Sequence, residues 1–330
     1  MGFKFDGRCG MSKAKVEAMR VLVTGAFGFV GTAVVLRLSS AGHDVVALTH
    51  RPPDAPVTKS QACEVLHADI CDASAIRAAV SDVDAVCHLA ALSLVRESFE
   101  RPAEYQRVNT AGTRTIVDAL TSNAVEGGKA VSFVHASTHA VYGAPERQPV
   151  VEDTPLAPVS PYGQSKADAE SAVAAAARTG AFNAVCLRLF NVAGAANGRT
   201  DTEQSRIIPK TLAVAAGRAP VLEISGDGGA VRDFVHVEDV ADAFLLALNA
   251  CRPGAYPVYN VGGAAASIID VIATTAQVTG RPVPVVHNPP RTEPRVMVAD
   301  TARISRDLTW TPQRSSLSRI ISDAWNVFNS

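Results

Sequence analysis

The stretch Val21-Leu22-Val23-Thr24-Gly25-Ala26-Phe27-Gly28-Phe29-Val30-Gly31 decides how this chain folds. A short apolar run breaks at a glycine-rich turn and passes at once into an amphipathic segment, Thr32 to Ser40, which reads as strand, turn and helix. In that setting Gly25 allows the tight turn, Gly28 lets backbone N–H groups approach a pyrophosphate, and Gly31 lets the helix pack close to the strand. The helix N-terminus adds a preference for negative charge. A glycine triad alone also serves ordinary structural turns; the flanking strand and helix turn it into a dinucleotide cradle.

Further strands follow outward from this unit. Asp44 to Leu48 reads as a second strand, Glu64 to Ala68 as a third ending at Asp69, Ala85 to Ala91 as a fourth, fully buried one, and Val131 to Ala136 as a fifth. Helical patterns at Ala73 to Val80 and Asn109 to Leu120 lie between them. Strands alternating with helices argue an α/β fold, a Rossmann-type parallel sheet wound on both faces. Ligands of such sheets bind beyond the carboxyl ends of the strands, where Gly25–Gly31, Ala90-Ala91 and Ser137-Thr138 converge. The second strand ends at Thr49-His50-Arg51. An acid here would take a ribose 2′-hydroxyl and an arginine would accommodate a 2′-phosphate, so both NAD and NADP stay open.

The second decisive stretch is Ser160-Pro161-Tyr162-Gly163-Gln164-Ser165-Lys166, opening a run of helix formers. Three residues separate Tyr162 from Lys166, placing phenol and ammonium one turn apart on the same face. A cation beside a phenol favours the phenolate, and this spacing predicts a tyrosine base made more acidic by its lysine.

Composition bounds what this site serves. The chain has 330 residues, 47% hydrophobic and 19% charged, enough for a large core and more than one structural unit. A formal net charge of −1 offers no general field for nucleic acid or an anionic membrane, so any anionic ligand must be held locally. Cys9, Cys63, Cys71, Cys87, Cys186 and Cys251 are scattered without a C-x-x-C pair and read as buried thiols in a reducing, cytoplasmic compartment. The eight histidines do not cluster at ligand spacing, so no metal is expected. No apolar run reaches the roughly eighteen residues of a membrane span, and residues 1–19 read as a loose leader with Met11 or Met19 as alternative starts.

The glycine turn, the hydroxyl of Thr138 at a strand end, the Tyr-x-x-x-Lys helix and four later landmarks occur in one order. The landmarks are Leu187-Arg188-Leu189-Phe190-Asn191-Val192-Ala193-Gly194, Val231-Arg232-Asp233-Phe234-Val235-His236-Val237-Glu238-Asp239, Tyr259-Asn260-Val261-Gly262 and Asp323-Ala324-Trp325. Together they resemble the extended short-chain dehydrogenase/reductase family, nearest its nucleotide-sugar epimerase group, over residues 20 to about 328.

That resemblance implies a 4-epimerase working through a 4-keto sugar, with an NADPH-dependent 4-ketoreductase and a non-catalytic dinucleotide-binding regulator as competitors. By similarity, Tyr162 is the acid/base, Lys166 holds the nicotinamide ribose and Thr138 the sugar oxygen. The implied cofactor set adds Gly25, Phe27, Gly28, Phe29, Val30, Gly31, Thr49, His50, Arg51, Asp69, Ile70, Leu89, Ala90, Ala91, Asn109 and Phe190. The implied substrate set is Ser93, Thr138, Asn191, Arg232, Arg291 and Glu293, with Asn191 and Arg232 on the nucleotide diphosphate. Related dehydratases carry an Asp-Glu pair after the threonine; His139 and Ala140 stand there instead, which disfavours water elimination. The chain also departs from epimerases in lacking an acid at Thr49 and in having Ser93 where a lysine is common, and Met297 occupies the position associated with admitting N-acetylated sugars.

The expected organisation is a dinucleotide-binding part, 20–188 plus 233–262, and a smaller nucleotide-sugar-binding lobe, 189–232 plus 263–330. The resemblance further implies a homodimer pairing the helices Thr110–Leu120 and Ala167–Ala177.

Overall fold

The computed structural model describes residues 18–50, 64–290 and 294–329. Six strands lie between residues 20 and 189: β1 (Arg20–Thr24), β2 (Asp44–Thr49), β3 (Glu64–His67), β4 (Ala85–His88), β5 (Ser132–Thr138) and β6 (Asn183–Leu189). The period of two along each strand sorts side chains into two layers. Val21, Val23, Val45, Ala47, Ala85 and Cys87 face one core, whereas Leu22, Val46, Leu48, Val86 and Phe133 face the other. Near-continuous apolar runs are therefore what a sheet covered on both faces requires.

The strands form one parallel sheet in the order β3-β2-β1-β4-β5-β6, extended beyond β6 by Val258–Val261. Helix α1 (Phe29–Ser40) and the helix Val237–Ala250 close one face through Val34, Leu38, Val240 and Phe244. The helices Ala73–Ala79, Gly112–Val125 and Pro161–Ala177 close the other through Ile76, Ile116, Leu120 and Val173. Because β1 is flanked by β2 on one side and β4 on the other, the chain reverses direction across the sheet there, which opens a crevice at the carboxyl ends.

A smaller lobe caps that crevice. Its sheet centres on Val231–His236, paired with Asn191–Ala193, Ala264–Ser267 and Val296–Met297. Helices Ile207–Ala215, Ile268–Thr279 and Leu317–Phe328 pack on it through Leu212, Val271, Ile320 and Ile321. Two expectations shift here. Val231–His236 belongs wholly to the small sheet, so the chain returns to the large layer at Val237 rather than at residue 233. The expected helix Asn109–Leu120 is a π-helical stretch, Gln106–Ala111, running into Gly112–Val125. The Asn109 amide is clamped between the Leu92 backbone and Ser165, which accounts for the wider turn around it.

Candidate active site

The turn after β1 is shaped by contacts that only glycine permits. Gly25 has φ of +68°, and a Cβ there would lie 2.8 Å from the Ala90 nitrogen; a Cβ on Gly31 would lie 2.0 Å from the Gly25 oxygen. Backbone therefore touches backbone where α1 begins. Gly28 precedes α1 without any side-chain cap, and the first turn carries no acid. Its orphan N–H groups are left to a ligand.

Across the crevice, Ser160 caps the helix Pro161–Ala177 by accepting from Gly163 N at 3.1 Å, and Pro161 supplies the preset φ of a first turn. The cap sets the register that puts Tyr162 in the opening turn and Lys166 one turn on. Thr138 ends β5 and hydrogen-bonds the Tyr162 hydroxyl. Tyr162, Lys166 and Thr138 line a single cavity of about 380 Å³ together with Gly25, Gly28 and Gly31.

The electrostatics differ from the expectation raised by the Tyr-x-x-x-Lys spacing. Burial holds the Tyr162 pKa above its ordinary value; the Thr138 hydrogen bond and the charge of Arg206 oppose that rise. Lys166 is itself 3% exposed, pushed down to about 8 by burial, and sits 3.2 Å from His135 Nε2. Arg206, a cation that favours the phenolate, comes from the other lobe.

Beneath these groups lies a layer of buried, hydrogen-bonded polar side chains. Thr113 donates to the Asn109 carbonyl at 2.6 Å, so its oxygen accepts from His88 Nε2 at 2.8 Å; His88 Nδ1 then accepts from Thr24 at 2.8 Å. Thr24 in turn accepts from Leu89 N and Ala90 N, bracing the turn after β4. Burial pushes His88 down to about 3 and His135 well below its usual range, so both rings are neutral. One turn past Lys166, Glu170 accepts from Ser137 and pairs with Arg188 at 2.7 Å, both charged side chains nearly inaccessible. Arg188 also donates to the Tyr142 hydroxyl and the Glu152 carbonyl, each at 2.9 Å.

Of the other expected ligand residues, Phe29, Val30, Leu89, Ala91, Ser93, Phe190 and Asn191 line the cavity. Phe27 and Ala90 pack beside it without lining it, and Thr49, His50 and Asp69 stand at the ends of β2 and β3. The Asp69 carboxyl is held low first by the Cys71 N–H, with Arg107 and His50 adding to it. Ile70 and Asn109, also of the expected cofactor set, stand outside the cavity lining. Ile70 is core, pressed on Gly112, and the Asn109 amide is spent on Leu92 and Ser165. Arg232 lies outside the cavity lining and donates to the carbonyls of Val231 and Pro294 at 2.9 Å each. Arg51, Arg291 and Glu293 lie outside the described residues. His139 does line the cavity, stacked on Phe190 at 5.1 Å and pushed by burial down to about 4, which makes it a neutral wall rather than a second acid.

Four residues escaped the reading of the sequence: Arg206, Asp201, His135 and Glu170. Glu170 carried a usable signal, four residues after Lys166 on the same helix face. His135 and Ser137 share one face of β5, which was also legible. Arg206 and Asp201 reach the cavity only through lobe packing. Among the described residues no group of three potential metal ligands gathers, and no helix is long and apolar enough to cross a membrane.

A profile of the NAD dependent epimerase/dehydratase family matches residues 21–262. The UDP-glucose 4-epimerase of Streptomyces lividans is 35% identical over 324 residues, covering 94% of this chain and 96% of that protein. A solved UDP-glucose 4-epimerase from Stenotrophomonas maltophila, with bound NAD and formylated UDP-arabinopyranose, superposes with a TM-score of 0.86 at 32% identity over 94% of this chain and 97% of that one. MoeE5, solved with UDP-glucuronic acid and NAD, gives 0.81 at 30% identity, covering 94% of this chain and 98% of that one.

Proposed function

This chain belongs to the NAD dependent epimerase/dehydratase family, and from that premise we propose that it is a nucleotide-sugar 4-epimerase of the UDP-glucose/UDP-galactose type. The observation that carries the reading is the shared cavity: Thr138, Tyr162 and Lys166 open onto the same space as the glycine turn. NAD suits that cradle, since the approaches at Gly25 and Gly31 leave bare backbone and uncapped N–H groups for a pyrophosphate. When bound, NAD supplies the acceptor and donor of hydride at the sugar C4.

The chain's own groups do the rest. Tyr162 accepts the proton of the C4 hydroxyl and later returns it, and Thr138 holds the same oxygen in place. Lys166, kept on His135, offers its remaining N–H donors toward the ribose of the cofactor. Phe190 and His139 wall the sugar from water. Asn191 supports the diphosphate from the small lobe while one of its amide protons stays on the Asp233 carbonyl at 2.8 Å. The cycle ends with the 4-epimer and no net redox change. The four described cysteines are free thiols, in keeping with action in a reducing cytoplasm, and two copies pairing through Gly112–Val125 and Pro161–Ala177 form the proposed dimer.

The test is incubation of purified protein with UDP-glucose and UDP-galactose, with and without added NADPH. Interconversion without added reductant supports the reading. Net NADPH consumption with no epimer formed overturns it in favour of a ketoreductase, and turnover surviving intact in Tyr162→Phe overturns the assignment of the base.

A further inference from the structure

We propose that the small lobe carries a second binding site, separate from the catalytic cavity, and that this site takes a sugar phosphate. A cavity of about 640 Å³ lies among the hairpin of Ala195–Ala196 and Arg199–Thr200, the chain that follows it, and the far ends of the helices Ile207–Ala215 and Leu317–Phe328. It has room for a small ligand and shares no lining residue with the catalytic cavity.

Two guanidiniums set its charge. That of Arg218 stands 4.3 Å from the centre of the Phe328 ring and donates to the Phe328 carbonyl at 2.8 Å. Arg199, on the hairpin, has one nitrogen 3.4 Å from Thr32 Oγ1. Each keeps most of its five N–H donors. No acid lines the cavity, and among the described residues neither guanidinium pairs with a carboxylate, whereas Arg206 is held on Asp201. Uncompensated guanidiniums at one cavity fit the oxygens of a phosphate, which their fork meets bidentately.

The other polar atoms call for hydroxyls. Thr200 gives its proton to the Gly194 carbonyl at 2.9 Å, and Gln204 gives an amide proton to the Thr202 carbonyl at 3.1 Å. The Thr200 oxygen and Gln204 Oε1 are left as acceptors, and the hydroxyls of a sugar supply the donors they lack. A nucleobase would instead stack on an open aromatic face. The ring at hand, Phe328, is 8% exposed and covered by Arg218.

One stretch of chain walls both sites. Thr200, Thr202 and Gln204 line the new cavity, while Asp201 and Arg206 line the catalytic one. On its outer side Thr202, Gln204 and Ser205 are exposed. A ligand held between this stretch and Arg218 restrains it, so that a nucleotide sugar meets Asp201 and Arg206 already in place. The site stands independently of the nucleotide-sugar reading; its effect on turnover rests on that reading.

The experiment titrates the NAD-loaded protein with glucose 1-phosphate and glucose 6-phosphate by calorimetry, with excess UDP filling the catalytic cleft. Both should bind, and Arg218→Met should weaken them on the order of 10–100-fold, as for a hydrogen bond to a charged group, with its thermal midpoint close to wild type. Gln204→Ala should weaken the sugar phosphates but not inorganic phosphate. Without UDP, glucose 1-phosphate should lower KM for UDP-glucose several-fold in wild type and not in Arg218→Met. Binding abolished by excess UDP places the ligand in the catalytic cleft and overturns the site. Inorganic phosphate or UMP binding as tightly as the sugar phosphates overturns the ligand class, and affinities unchanged in both variants overturn the residues assigned. Binding with KM unmoved overturns the coupling. Binding in a protein that turns over neither UDP-glucose nor UDP-galactose overturns the epimerase reading and supports the site.

Discussion

Lys166 on the floor of the cleft and Arg206 on the wall across from it are two cations lining one cavity, yet their surroundings are opposite. Lys166 lies in a layer where His88, His135, Asn109, Glu170 and Arg188 are all nearly inaccessible and hydrogen-bonded within the interior. Arg206 is exposed, tied to one carboxylate and one hydroxyl. On the floor, desolvation dominates: it raises the Tyr162 pKa, lowers that of Lys166 and keeps both histidines neutral. On the wall, charge survives and acts across the gap. Fixed geometry therefore comes from the sheet side and an exposed charge from the lobe side.

The largest expected effect tests whether the floor holds the reacting group at all. Tyr162→Phe should lower epimerase turnover about 10²–10⁴-fold with the thermal unfolding midpoint little changed, measured by product formation and calorimetry. Next comes the ion pair behind the helix. Glu170→Ala leaves the Arg188 guanidinium buried and uncompensated, and should cost roughly 3–5 kcal/mol in denaturant unfolding, a loss that Glu170→Ala/Arg188→Met should partly restore.

Acid distinguishes the two regions more gently. The folded-state pKa values of His88 and His135 lie below the unfolded value near 6.5, so their contribution is whole above that pH. It is lost as pH falls, because the unfolded chain then binds protons the folded one refuses. Stability should decline below pH 6.5 by up to ~1.4 kcal/mol per pH unit for each ring, and His88→Asn should flatten the decline. A smaller change is expected from His135→Phe, which removes the acceptor from the Lys166 ammonium. Lys166, at about 8 in the native chain, should then lose its proton at lower pH, moving the basic limb of the kcat/KM profile downward. Smallest of all, Arg206→Ala should alter unfolding free energy by no more than about 1 kcal/mol, since an exposed pair contributes little. A loss like that of Glu170→Ala would erase the contrast between floor and wall.

Much of this was legible along the chain. The apolar runs at Val21–Val23, Asp44–Leu48 and Ala85–Ala91, alternating with helical patterns, declared a sheet covered on both faces. The glycine turn, Thr138, Tyr162 and Lys166 were each readable because one strand end or one helical turn suffices to place them. For Asn109 and Ile70 no sign in the sequence marks the neighbours that claim their side chains, since a residue's type near a strand end does not name its partner. The Asn109 amide went to Leu92 and Ser165, and the Ile70 side chain to Gly112.

What the linear chain determined by itself is local: which segments are strands, where a helix must start, and that a phenol and an ammonium share one helical face. What only the tertiary structure decided is how deeply that phenol and ammonium are buried and which further charge reaches them. Nearness in sequence selected Lys166, but a buried ammonium is itself disfavoured and is spent on His135, while Arg206, forty-four positions further along the chain from Tyr162, is brought to the cavity by the packing of one lobe on another. Electrostatic effect depends on distance and solvation together, and neither is set by spacing along the sequence.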